Sequence, residues 1–167
     1  SKINKCDFAA SNLERLNLRD MEYSNCVLTT TSCGESSWHR VSVDNSRCTG
    51  LGLQTSTLQD VVFTDCKLNL VNFRFAKLKN VVFEGCDLSE ADFYCSELTN
   101  VRFDGCALDG VEFSGSKLKR VDLRCSDVSS LRSANSLTGA IIDSTQLIIL
   151  APLLAAEAGI EIDDEPL

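Results

Sequence analysis

Residues 61–123 read, in fives, VVFTD CKLNL VNFRF AKLKN VVFEG CDLSE ADFYC SELTN VRFDG CALDG VEFSG SKLKR VDL. The third residue of every block is Phe or Leu, and the first is Val, Cys, Ala or Ser. A helix repeats every 3.6 residues and a strand every two, so a strict period of five fits neither and marks a repeat architecture. Two inward residues per five, with one outward residue between them, suit a short extended piece followed by a corner. A second period lies over the first: Val61, Val81, Val101 and Val121 are twenty apart, as are Phe63, Phe83 and Phe103, and Leu78, Leu98 and Leu118. Four blocks therefore make one turn of a four-sided solenoid, with like side chains stacked between turns.

Blocks such as ADFYC at 91–95 and CDLSE at 86–90 resemble the A(D/N)LXX repeats of pentapeptide-repeat proteins. The resemblance covers residues 1–130. It implies an all-β solenoid, a right-handed quadrilateral β-helix, with the central residue of each block and the one two before it pointing inward. The phase runs back through Ile3, Phe8, Leu13, Leu18, Tyr23 and Leu28, and forward to Val128. That length predicts about six to seven coils, a rod roughly 30 Å long at about 4.8 Å per coil.

Residues 29–57 keep the phase but match poorly, with Gly and several Ser, which predicts degenerate, looser turns. The other reading is a binding surface around Trp38, His39 and Arg40. Trp38 falls where other turns place Leu, so overpacking or an outward ring is expected there.

After Val128 the period stops. Residues 131–167 read as a transition, a C-terminal helical cap and an acidic tail. Within the transition Ala140–Ile142 reads as one more strand-like piece. TQLIILAPLLAAEAGI reads as helix, capped by Ser144 or Thr145, with Pro152 opening a second short helix that Gly159 ends. The ending resembles that of many bacterial pentapeptide-repeat proteins. An open solenoid end exposes core and strand edges and needs a cover. Leu147, Ile148, Leu150, Leu153 and Leu154 are the candidates for that cap, or for a homodimer contact.

The 167 residues suit one domain. A net charge of −8 and a pI near 4.6 argue against direct nucleic-acid binding. No apolar run approaches a membrane span of about 20 residues, and no signal peptide is recognisable. Cys6, Cys26, Cys66, Cys86 and Cys106 occupy the small inward slot, so they read as core residues of a protein in the reducing cytoplasm. Cys66, Cys86 and Cys106 stand one rung apart, inside the Cα separation a disulfide allows, but stacked parallel side chains would have to leave their rotamers to reach its dihedral.

Nothing points to catalysis, a metal or a cofactor. The sole histidine, His39, faces outward while Cys33 and Cys48 face inward. A column of cysteines is not a tetrahedron of zinc ligands. Gly85, Gly105, Gly110 and Gly115 fall at block ends, where the chain turns, not in a phosphate-binding loop.

The outward charges divide by side. The side over Leu78, Leu98 and Leu118 carries Arg19, Arg40, Lys77, Lys79, Lys117, Lys119 and Arg120 against Asp20, Asp60 and Glu97, a surplus of four positive charges. The opposite side is −3 and the other two −2 each, and the last 37 residues hold −5. Lys77, Lys79, Lys117, Lys119 and Arg120 are one candidate protein-binding set, and the outward pair Phe75 and Tyr94 is another.

The expected function is a non-enzymatic scaffold for a protein partner. The family resemblance offers an alternative, since its Qnr and MfpA types protect DNA gyrase and topoisomerase IV from quinolones with a rod like B-DNA in width and charge. This sequence departs from them in lacking body-interrupting loops and in having a weakly acidic rod with one basic side. A third reading is a structural module of a larger protein, which the missing start methionine fits.

Overall fold

The computed structural model describes residues 1–131 and 135–163 of the chain. Eight parallel strands form one sheet in chain order: β1 (Lys2–Asn4), β2 (Asn17–Ser24), β3 (Ser37–Asp44), β4 (Thr57–Thr64), β5 (Lys77–Glu84), β6 (Glu97–Asp104), β7 (Lys117–Asp122) and β8 (Ala140–Ile141). From β1 to β7 each residue pairs with the one twenty later, as in Leu58, Leu78, Leu98 and Leu118. Each twenty-residue coil can thus be numbered from Ser1.

An eight-residue strand covers two sides of a coil, because it bends at its fourth residue. Asp20, Arg40, Asp60, Asn80 and Asn100 stand at those bends with φ between 53° and 55°. The other two sides are shorter and join by single bridges, such as Lys67 to Asp87 to Ala107 and Asn72 to Asp92 to Glu112. Four sides per coil and about seven turns result.

The corners set this geometry. Every fifth residue from Lys5 to Cys125 has a positive φ, yet only Gly50, Gly85, Gly105, Gly110 and Gly115 among them are glycines. L-residues resist that conformation, Asn and Asp least. Asn and Asp hold many corners and bond to one another between coils. Asn45 Nδ2 donates to Asn25 Oδ1 at 2.7 Å, Asn80 Nδ2 to Asp60 Oδ1 at 2.8 Å, and Asn100 Nδ2 to Asn80 Oδ1 at 2.8 Å.

Inside, two columns of phenylalanine face each other. Phe63, Phe83 and Phe103 stack at 5.0–5.2 Å, and Phe73, Phe93 and Phe113 at 4.8–5.2 Å. Across the core the columns meet edge to face, at 73° for Phe73–Phe83 and 88° for Phe93–Phe103. Both arrangements are favoured by the ring quadrupole.

Residues 29–57 are not loose. β3 holds the same register as its neighbours. Trp38 points inward and is 2 % exposed, which corrects the expectation of an outward or overpacked ring. The other central residues of its stretch, Cys33, Val43 and Cys48, are small where the next coil has Leu53, Phe63 and Leu68, so the indole takes their space. Ser36, Ser46, Ser56 and Thr31 are inward hydroxyls. Ser36, Ser46 and Ser56 are buried, and each accepts the amide of the residue twenty earlier at 3.0 Å.

At the C-terminal end the register shortens by one, Val121 pairing with Ala140. Gly139 (φ +94°) makes this step, where a Cβ would collide with the Leu118 carbonyl. One helix follows, α1 (Ser144–Glu157), capped by Asp143 and not by Ser144 or Thr145. Asp143 Oδ1 accepts the Gln146 amide at 2.9 Å and Gln146 Oε1 accepts the Asp143 amide at 3.1 Å, a reciprocal capping box. Pro152 lies inside this helix and opens no second one. The carbonyl it leaves unpaired is that of Ile148, 75 % exposed, where water can serve it. Gly159 ends the helix, with Ile160 N–H donating to Ala155 O at 2.8 Å and Gly159 N–H to Ala156 O at 3.1 Å. Residues 164–167 of the acidic tail lie outside the described residues.

Replacing Phe83, which touches four other rings, with Ala is expected to cost about 3–5 kcal/mol. Lys119→Ala on the outer surface should change stability by less than about 0.5 kcal/mol. Urea denaturation of both variants checks this, and equal effects would remove the inward and outward assignment.

Candidate protein-interaction faces

The described residues hold no group of three or more His, Cys, Asp or Glu side chains placed to bind a metal ion. The cysteines instead serve the stack. Cys66 Sγ lies 3.2 Å from Thr64 O and 3.3 Å from Val43 O, and Cys86 Sγ lies 3.4 Å from both Glu84 O and Phe63 O. In the same column Ser126 Oγ donates to Phe103 O at 3.0 Å and accepts the Cys106 amide at 3.2 Å. Thiol and hydroxyl are interchangeable here because the slot asks for a small group that meets the backbone. Burial pushes the Cys33 thiol up to about 11. Cys66 is pushed up to about 12 by the neighbouring Cys48 thiol together with burial. Such thiols are neutral and poor nucleophiles near neutral pH.

On the outer surface the strand register sets two rows on the basic side: Lys77, Glu97 and Lys117, and beside them Lys79, Thr99 and Lys119. Part of the charge is already answered. Arg40 grips Asp20 with two bonds of 2.6 and 2.8 Å, and that hydrogen-bonded guanidinium holds the Asp20 carboxyl below its ordinary range. His39 lies 3.6 Å from Asp60, and Lys117 lies 3.7 Å from Glu97. Lys77, Lys79, Lys119 and Arg120 have no carboxylate within 4.0 Å among the described residues. The lysines and Arg120 therefore share one flat, exposed side.

Phe75 and Tyr94 also come together. Their rings meet edge to face at 5.8 Å. The Arg74 guanidinium sits 4.7 Å over the Tyr94 ring and 3.1 Å from Asp92. Phe75 is 52 % exposed.

The five apolar residues assigned to the C-terminal segment divide between two roles. Leu150 is buried and Leu153 half-buried against the core, while Leu147, Ile148 and Leu154 face outward with Ile149. The cap also has a polar member that sequence reasoning missed. Gln146 Nε2 donates to Leu123 O and Ser126 O, each at 2.8 Å, covering carbonyls the last coil leaves open. Its signal was Gln three residues after Asp143, the spacing of a capping box.

The family model described as pentapeptide repeat region matches residues 16–93 and 56–132. The chain belongs to the pentapeptide repeat family. Its solenoid is the family's right-handed quadrilateral β-helix. No curated protein matches the sequence. Among solved structures, a pentapeptide repeat protein (Rfr23) from the cyanobacterium Cyanothece 51142 is 16% identical, with 82% of this chain and 91% of that one covered and a TM-score of 0.46. HetL, a pentapeptide repeat protein involved in heterocyst differentiation regulation from Nostoc sp. strain PCC 7120, is 20% identical over 81% of this chain and 63% of its own, with a TM-score of 0.42. Trypsin-treated QnrB1, a plasmid-mediated fluoroquinolone resistance protein, is 15% identical over 98% and 100%, with a TM-score of 0.38. Likenesses of this degree say nothing of what this pentapeptide repeat chain binds. No described helix is long and apolar enough to cross a membrane.

The buried thiols give the fold an alkaline limit. A thiol whose folded pKa is raised to about 12 stabilises the fold fully below its unfolded pKa of about 8.5. That contribution is lost as pH rises through the folded value, because only the unfolded chain then releases the proton readily. Stability from urea unfolding should therefore fall between pH 8.5 and pH 11, and Cys66→Ser should flatten the fall. A flat profile in the parent protein would contradict these shifts.

Proposed function

We propose that the protein is a non-enzymatic scaffold that binds a protein partner through its flat outer sides. The observation that carries this reading is the cluster Lys77, Lys79, Lys119 and Arg120, exposed and without ion partners among the described residues, in a chain of net charge −8. Charges left unpaired on a flat side favour encounter with a surface of opposite sign. The partner's contact surface is accordingly acidic. The inward Cys66 and Cys86 thiols, bonded to backbone carbonyls, support a reducing, cytoplasmic setting; isolation of the native protein with the two oxidised would contradict that setting.

Binding of DNA gyrase in the manner of a duplex surrogate is the weaker reading. Such a surrogate is negative around its circumference, and the lysine side breaks that ring. The exposed Leu147, Ile148, Ile149 and Leu154 on α1 support a homodimer, the outer face of the cap meeting its counterpart on a second copy.

Site-specific photo-crosslinking tests these readings together. A photoreactive residue at Thr99, between Lys79 and Lys119 in their row, is expected to capture a defined protein, and reversing Lys77, Lys79 and Lys119 to Glu should abolish the capture. The same group at Ile148 should give a self-crosslink of twice the chain mass. Equal capture from Thr99 and from Ser89 on the opposite side would refute the basic side as the contact. A gyrase subunit captured at Ser89 but not at Thr99, with inhibition of supercoiling, would favour the surrogate reading instead.

A further inference from the structure

Because each residue stacks on the one twenty later, outward charges of neighbouring coils oppose each other across single rungs about 4.8 Å apart. Like charges directly opposite destabilise a sheet unless a counterion answers them. The two rungs that oppose acids have one. Asp104, which pairs with Glu84, lies 3.6 Å from Arg102. Asp92, which pairs with Glu112, lies 3.1 Å from Arg74. Among the described residues a single rung opposes two cations, Arg47 and Lys67. Neither has a carboxylate within 4.0 Å among those residues.

The counterion is missing although acids stand nearby. Asp87, next in the row after Lys67, has its Oδ1 taken by the Ser89 amide at 3.0 Å and the Ser89 hydroxyl at 2.6 Å. Asp65 leans the other way. Its Oδ1 lies 2.6 Å from where a Cβ on Gly85 would stand, so that glycine of the fifth coil gives it room, away from Arg47 on the third. On the other side of Arg47 the row holds Val27, whose short side chain leaves a groove of about 390 Å³. Asn25, Val27, Asn45, Arg47, Asp65 and Lys67 line it.

Charge decides the ligand. The two cations stand on a side whose other outward charges are acidic, and a single carboxylate would answer only one of them. A phosphate monoester carries about −1.5 to −2 charge at pH 7 and three acceptor oxygens. A guanidinium takes two such oxygens in parallel bonds, and an ammonium reaches the third. We propose that Arg47 and Lys67 form a binding site for a phosphate monoester dianion. The site lies on the side opposite the lysines and does not rest on the scaffold reading.

The test follows NMR shifts of the purified protein in buffer free of phosphate and sulfate. Four probes are added: inorganic phosphate, a capped Gly-phosphoserine-Gly peptide, its unphosphorylated form and acetate. Inorganic phosphate should give saturating shifts at Arg47 and Lys67, with an affinity at least tenfold above that of acetate. Arg47→Gln and Lys67→Gln should each weaken it at least fivefold, while Lys119→Gln leaves it unchanged. Lys67→Glu sets a carboxylate opposite Arg47. It should abolish phosphate binding and melt at or above the parent temperature in the same buffer. Tighter binding of the phosphopeptide than of inorganic phosphate assigns the site to a phosphorylated chain; equal or weaker binding assigns it to free phosphate. Shifts that never saturate, equal affinity for acetate or for the unphosphorylated peptide, or unchanged affinity in both glutamine variants would overturn the proposal. So would Lys67→Glu melting below the parent, which would show that the rung lacks no counterion.

Discussion

The structure depends on the chain entering the left-handed region at every fifth residue. That turn returns the backbone to its starting point after four sides, so residue n lands against residue n + 20 and the backbone groups of one coil meet those of the next. Twenty of these corners, such as Arg40, Asp65 and Thr55, are not glycine. Left-handed φ costs an L-residue about 1–2 kcal/mol, so no corner is stable alone. Each is held because the coils on either side fix where it must turn. The side-chain bonds among Asn25, Asn45, Asn80 and Asn100 then convert the least unwilling residues into rungs of their own.

Function follows from what this constraint leaves free. The inward slots are committed: large apolar residues at one, and at the other a small residue that in many coils bonds the backbone through a hydroxyl or thiol. Cys66 and Ser126 do the same work, each meeting a carbonyl of the coil before. With no loop inserted before residue 128, the sides stay flat, and chemistry is confined to outward positions where rows of like charge build up at the spacing of the coils. The lysine rows are one such position, and Leu70 and Phe75 are exposed apolar residues at two corners. α1 closes one end with Gln146 and Leu150 and leaves its outer face apolar.

Much of this was legible in the fives. The repeat of Val61, Phe63, Cys66 and Leu78 at twenty residues placed the core columns, the lysine side and the pairing of Phe75 with Tyr94. Trp38 was misjudged because its slot was compared along the column, with Leu58 and Leu78, and not around the coil, where Cys33, Val43 and Cys48 make room. The polar run at 29–57 looked loose because it is rich in Ser with Gly, whereas Ser36, Ser46 and Ser56 face in and bond amides. Pro152 read as a helix start because a proline usually is one; its place over a water-exposed carbonyl is a tertiary fact. Leu70 passed unnoticed although its block-end position, shared with Asn45 and Gly50, was the signal.

Amide hydrogen exchange followed residue by residue tests the stacking of coils most directly. On the two shorter sides of the middle coils the second, third and fifth amides of a block bond a neighbouring coil, as Lys67 does to Ser46 O at 3.0 Å, Leu68 to Asp87 O at 2.7 Å and Leu70 to Ser89 O at 2.9 Å. The fourth amide bonds no other coil; Ser89 instead donates to the Asp87 side chain. The account predicts slow exchange at Lys67, Leu68, Leu70, Asp87, Leu88 and Glu90, fast exchange at Asn69, and the same five-residue rhythm through the middle coils. Protection in unbroken runs, or with a period of two, would contradict it.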